Sequence, residues 1–162
     1  MGNPIQRIMV YVDGSEQSVT AARYAICLAS FSGAELMACY IVNTRAAEDL
    51  LRAKIFLQDE QLEYEHDMEA DAERYLDYVS ELAAQKGVTV TRKRGRGSVH
   101  KEIIDTVKEH KVDLLVIGEL SRIRSRRDEF YDEAERAMRT APCSILIVKD
   151  EDKVYAMYQS LA

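Results

Sequence analysis

The sequence predicts an α/β protein: a single domain on an open, mainly parallel sheet of about five strands, with helices on both faces. Three observations carry this. Short apolar runs rich in strand formers alternate with segments of helical periodicity along the chain. The first strand, helix and strand fit within about 40 residues, the size of a right-handed βαβ unit. No repeat, low-complexity tract or linker divides the 162 residues, a length that suits one domain with a sizeable core.

Arg7-Ile8-Met9-Val10-Tyr11-Val12 reads as the first strand. It runs into Asp13-Gly14-Ser15, a turn whose serine can cap a helix. Val19, Ala22, Ile26 and Ala29 then recur at helical spacing, and Gly33 supplies the stop. Glu35 to Val42 is a second buried strand. Residues 44–86 are helix-rich and acidic, with an apolar stripe that includes Leu62, Met68, Tyr75, Leu76 and Val79. One unbroken helix there would run to about 60 Å, too long for this domain, so a break is expected near Phe56 to Glu60. Thr44 to Glu81 carries twelve acids against four basic residues. That is the pattern of a solvated helix face, or of an acidic surface for a partner.

Val88 to Thr91 alternates like an exposed strand, and Arg92 to Ser98, "RKRGRGS", reads as a basic turn. Ser98 can cap a helix carrying Ile103, Ile104 and Val107. Asp113 to Ile117 is continuously apolar after its first residue, as expected of a central parallel strand. Asp132 and Glu135 form a capping-box-like pair for a helix ending at Ala141-Pro142. Cys143 to Val148 is the last strand. The α/β domain is thus expected over residues 1–150, with 151–162 a tail that docks as a short helix or meets a partner.

Composition narrows the function classes. The net charge of −6 argues against general affinity for nucleic acid, whose phosphates reward a basic face. No apolar run approaches the ~20 residues of a membrane span. The N-terminus enters a strand without a signal-peptide layout, so a cytoplasmic protein is expected. Cys27, Cys39 and Cys143 lie far apart, with neither a C-x-x-C nor a metal spacing. They read as buried, reduced thiols, and no metal site is expected. His66, His100 and His110 are isolated at helix surfaces or ends, and neither G-x-S-x-G, Walker A nor H-E-x-x-H occurs. Catalysis is therefore not expected, and no catalytic residue is assigned.

"RIMVYVDGSEQSVTAARYA", "ELMACYIV", "DLLVIG" and "APCSILIVK" together resemble the universal stress protein family over roughly residues 5–150. The resemblance implies a five-stranded parallel sheet of the adenine-nucleotide α-hydrolase-like, Rossmann-like kind, usually in a dimer. Many members bind ATP through G-x-x-G, nine residues, then G-S or G-T. The glycines let backbone N–H groups approach phosphate oxygens, and a helix N-terminus adds donors and dipole. Laid on this chain, the signature keeps Gly118 but meets Ser121 at its second glycine and Tyr131-Asp132 at its closing pair. A carboxylate about 4 Å from a phosphate charge is repelled by about 4 kcal/mol at an effective dielectric of 20.

By the same resemblance, Asp13 matches the acid that meets adenosine, and Ile41 the position beside adenine. Asp13, Ile41, Gly118 and Ser121 are thus the candidate adenosine pocket. Asp13 equally suits a turn, and Ile41 a core. Arg122 and Arg124, with Arg126 and Arg127, can fork around an anion or pair with Asp128, Glu129, Asp132 and Glu133 in a solvated loop. The pyrophosphatase-type relatives of this fold need a loop richer in glycine than "DGSEQS".

Two functions follow. One is a non-enzymatic stress-response regulator or adaptor with no cofactor, working through dimerisation and an unknown protein partner. The other is an adenine-nucleotide sensor whose phosphate site is lined by Arg122 to Arg127. The homodimer is expected through the last strand, Ile145 to Val148, which family dimers commonly pair across the two-fold axis.

Overall fold

The computed structural model describes residues 2–119 and 136–162. Its elements are β1 (Arg7–Tyr11), α1 (Glu16–Ser32), β2 (Glu35–Val42), α2 (Thr44–Arg52), α3 (Gln58–Ala84), β3 (Val90–Arg96), α4 (Val99–Glu109), β4 (Leu114–Gly118), β5 (Ser144–Val148) and a C-terminal helix, α5 (Glu151–Ser160). A helical turn at 136–140 precedes β5. The expected Asp132–Glu135 cap lies outside the described residues.

All pairings are parallel, in the order β3-β2-β1-β4-β5. Alternate side chains of each strand point to opposite faces, so the sheet carries two cores. Ile8, Val10 and Val12 join Tyr40 and Val42 under α1, α3 and α5. Met9, Tyr11, Cys39 and Ile41 join Leu115 and Ile117 under α4 and the turn containing Ala137. Helices thus cover both faces, as the strand pattern predicts.

Helix ends follow their local chemistry. Ser15 caps α1, its hydroxyl accepting from the Ser18 N–H, and Gly33 closes the helix at φ 74°. The break after α2 begins at Ala53, slightly earlier than expected. Lys54 takes φ 59°, and the Ile55 and Phe56 N–H groups both turn back onto the Leu50 carbonyl. Ser98 occupies the N-cap position of α4, with its hydroxyl 3.1 Å from His100 Nδ1.

The basic stretch departs from its reading as a turn. Val90–Arg96 is a strand, hydrogen-bonded to β2 along its whole length. Arg92, Arg94 and Arg96 alternate onto one side, where α3 lies antiparallel to them. Arg92 pairs with Glu73 at 3.0 Å and Asp77 at 2.5 Å, Arg94 with Glu73 at 2.6 Å, and Arg96 with Glu65 at 3.4 Å and with Glu69. The repeats match. Four residues of helix rise about 6 Å, and two residues of strand about 6.6 Å. Four acids of the supposed solvated face are therefore rungs of a ladder.

The C-terminal segment docks as a helix, the first of its two expected placements. Asp150 caps α5, and Val154 and Tyr158 are buried against the α1 side of the core. The Tyr158 hydroxyl donates to the Leu82 carbonyl at 2.6 Å, and Lys86 Nζ donates to the Leu161 carbonyl at 3.0 Å.

Glu73→Ala removes the shared partner of Arg92 and Arg94. Because all three side chains are partly solvated, urea denaturation should show a loss of about 1 kcal/mol at low salt, largely erased at molar salt. Glu63→Ala on the same helix, with no ion pair among the described residues, should leave the midpoint unchanged.

Candidate functional site

In an open parallel sheet, ligands sit outside the carboxyl ends of the strands where the strand order reverses. Here that point lies between β1 and β4. It gathers the Asp13-Gly14-Ser15 turn, the first turn of α1 and Gly118.

Asp13 is exposed and builds the turn. Its Oδ1 accepts from the Ser15 N–H at 2.9 Å and from the Ser15 hydroxyl at 2.6 Å. Its own N–H donates to Ser18 Oγ at 3.3 Å, and that hydroxyl donates to the Ser15 carbonyl at 2.9 Å. The other carboxylate oxygen, Oδ2, makes no hydrogen bond among the described residues.

Gly118 is held by packing. A Cβ built there would lie 2.5 Å from the Gln17 carbonyl oxygen and 2.6 Å from its carbon. The end of β4 thus touches the backbone of α1 at its first turn, where no side chain fits. Ile41 is 3% exposed and lies in the α4 core, on the opposite side of β2 from Tyr40. Asp13 and Gly118 therefore both lie at the carboxyl ends of the strands flanking the switch point, while Ile41 is a core residue of β2. Ser121, Arg122, Arg124, Arg126, Arg127, Tyr131 and Asp132 lie outside the described residues.

The sequence reading missed Tyr75 at this site. Its ring lies against Gly14, whose φ is 84° and whose missing Cβ would sit 2.6 Å from Tyr75 Cε2. The same ring stacks on Tyr40, with centroids 6.4 Å apart and planes 7° from parallel, and the Arg74 guanidinium lies 5.2 Å from its centre. Burial, helped by the charges of Asp71 and Asp13, pushes the Tyr40 phenol well above its ordinary range. Tyr40 stays protonated in neutral solution and offers only a donor and weak acceptors. Tyr75 belongs to the apolar stripe of α3, so its sequence position signals packing and nothing more. Only the glycine opposite it hints at a close approach.

Other candidate chemistry falls away from this crevice. Cys27 and Cys39 are buried and Cys143 is half-buried, all three free. Burial raises all three thiols, Cys39 to about 12, so they remain unreactive SH groups. His66 is exposed on α3, and His100 and His110 lie half-buried at the two ends of α4. Among the described residues no group of three or more His, Cys, Asp or Glu could hold a metal ion. Nor is any described helix long and apolar enough to cross a membrane.

A match to the universal stress protein family spans residues 4–149. The chain belongs to that family. A universal stress protein of Methanocaldococcus jannaschii, MJ0531, is 29% identical over 151 residues, covering 93% of this chain and 86% of that protein. A family structure from Burkholderia pseudomallei superposes with TM-score 0.70 at 21% identity, covering 93% of this chain and 100% of the other. A universal stress protein in complex with cAMP gives TM-score 0.65 at 23% identity over 89% of this chain and 97% of its own. An Arabidopsis thaliana family member with AMP bound gives 0.65 at 14% identity over 91% and 94%. The fold is thus that of the universal stress proteins.

The Gly118 contact yields a test that separates packing from ligand binding. Gly118→Ala should destabilise the ligand-free protein by about 1–3 kcal/mol in urea denaturation, because α1 must shift to admit the methyl. A glycine kept only for phosphate access would give no loss, or a small gain from the less flexible unfolded chain.

Proposed function

We propose that this protein is a non-enzymatic regulatory or adaptor member of the universal stress protein family, acting as a homodimer through its surfaces and binding ATP weakly or not at all. The observation that carries this reading is that Gly118, the retained glycine of the phosphate signature, is already committed to the α1 backbone. The other signature positions hold Ser121, Tyr131 and Asp132, which supply side chains where close backbone approach is needed.

One observation favours a second reading, an adenine-nucleotide sensor. Asp13 stands at the switch point with Oδ2 uncommitted, and the related structures with AMP and cAMP hold ligands with a single phosphate. A monophosphate carries less charge towards Asp132 than a triphosphate does, so the repulsion argued against ATP weakens for it. Arg122 and Arg124 would then be its anion contacts.

A melting titration of nucleotide-stripped protein with ATP, ADP, AMP and cAMP decides between the two. A ligand that binds the folded state raises the melting temperature once it exceeds its dissociation constant. The adaptor reading expects no shift at millimolar nucleotide. A shift with AMP or cAMP that Asp13→Ala abolishes establishes the sensor.

The dimer is proposed through β5, an edge strand of the sheet. Ile147 is 37% exposed there, and Ile145 and Leu146 are only half-buried. An apolar edge with an open hydrogen-bonding side favours pairing with a second copy. Ile147→Lys should elute as a monomer, or aggregate, on a sizing column. An unchanged dimer would place the interface elsewhere.

A further inference from the structure

A cavity lies between α1 and α5, away from the switch point. On α1, Tyr24, Cys27, Leu28 and Phe31 stand at i, i+3, i+4 and i+7, which places them on one stripe of the helix. Tyr24, the first of them, is nine residues beyond Ser15, about 13 Å along the helix axis from the Asp13 turn. α5 packs against α1 and presents Met157 and Leu161, themselves about one turn apart. The two helices do not close on each other here. These six side chains, with Ser160, line a cavity of about 320 Å³.

The walls restrict what this cavity can hold. Leu28, Met157 and Leu161 are half-buried and Phe31 is 91% exposed, so apolar surface there is left against water. The volume is at the small end of ligand sites, enough for one small molecule and too little for a helix or strand of another protein. Among the described residues no charged side chain lines it. The last turns of α1 and α5 contribute Phe31, Ser160 and Leu161 without a basic residue, so the carbonyl ends of both helices disfavour an anion there. Lys86 disfavours a cation at the same wall, since its ammonium donates to the Leu161 carbonyl at 3.0 Å. Cys27 adds a neutral thiol, raised by burial. The Tyr24 hydroxyl makes no hydrogen bond among the described residues, so it can bond a ligand.

We infer that the α1–α5 cavity binds an uncharged small molecule with an apolar body and one hydroxyl, an aliphatic alcohol or a phenol. The apolar body fills the space between Leu28, Phe31, Met157 and Leu161, and the hydroxyl shares a hydrogen bond with Tyr24. Burial of apolar surface on both sides drives binding, and the single polar contact fixes orientation. The uncharged walls select against carboxylates and amines of the same length, whose heads would lose hydration without gaining an ion pair. The site goes beyond both readings of the switch point, and it needs neither.

The experiment follows backbone amide NMR signals of the full-length protein during titration with octanol, octanoate and octylamine at neutral pH. Octanol should give saturable shifts centred on residues 24–31 and 157–161, and should bind about tenfold or more tightly than either charged analogue. Lengthening the alcohol from butanol to octanol should tighten binding by up to about fourfold per methylene. Tyr24→Phe should weaken octanol binding about fivefold through the lost hydrogen bond. Leu28→Trp, which fills the cavity, should abolish it. Phe31→Ser should weaken it about threefold or more with the fold intact, because that side chain is almost wholly in water, and so keeps the test decisive if Leu28→Trp fails to fold. Asp13→Ala should change nothing. Shifts that fail to saturate, or that scatter over the surface, overturn the proposal. So does octanoate or octylamine binding as tightly as octanol, or octanol binding that both Leu28→Trp and Phe31→Ser leave untouched.

Discussion

The contact between Gly118 and the Gln17 carbonyl is the constraint from which the switch-point geometry follows. It brings the end of β4 against the first turn of α1, leaving no room for even a methyl group. The turn before α1 must then be tight. Asp13 and Ser15 tie it with two short hydrogen bonds, and Gly14 takes a left-handed conformation. That conformation in turn leaves room for Tyr75 from α3. Glycine, turn and aromatic ring form one packed unit in which each part removes space that the next needs. A phosphate-binding loop works in the opposite sense, with glycines that leave backbone N–H groups open to a ligand.

The second organising interaction is the ladder between β3 and α3. Each rung is partly solvated and individually weak. Its effect is on register. The apolar stripe of Ala72, Leu76 and Val79 attaches α3 to the sheet, and apolar surfaces tolerate sliding. Charges repeating every 6 Å or so do not, because a shift of one helical turn moves each acid to the neighbouring rung and leaves one rung unmatched. The ladder also shields the edge strand. β3 exposes one unpaired hydrogen-bonding side, and its arginines discourage pairing with another chain, a common way of blunting a sheet edge.

Most of the fold was legible in the sequence because parallel strands are marked by continuous apolar runs and helix ends by local chemistry. Ser15 and Gly33 announce α1 without any tertiary knowledge. The strand β3 was misread for a physical reason. Its alternating arginines look like a solvated turn, since charge on a strand is unfavourable unless something meets it, and the acids that meet it lie about 15 to 30 residues earlier in the chain. The candidate site was legible in part. Asp13, just past β1, and Gly118, the last residue of β4, lie at the carboxyl ends of neighbouring strands. The packing role of Gly118 depends on the backbone of Gln17, and Tyr75 arrives from a helix whose register is set by tertiary packing and the ladder. Neither leaves a local signature.

Stability is concentrated in part of this scaffold. The sheet and its two cores need the apolar runs, the switch-point glycine and the matched half of α3. Nothing in that set needs Asp59, Glu60 or Glu63, which make no ion pair among the described residues, nor Leu57 and Leu62, whose exposure means that they contribute little to the fold. The shared scaffold that identifies the family does not by itself decide function, since function resides in the particular side chains a fold displays.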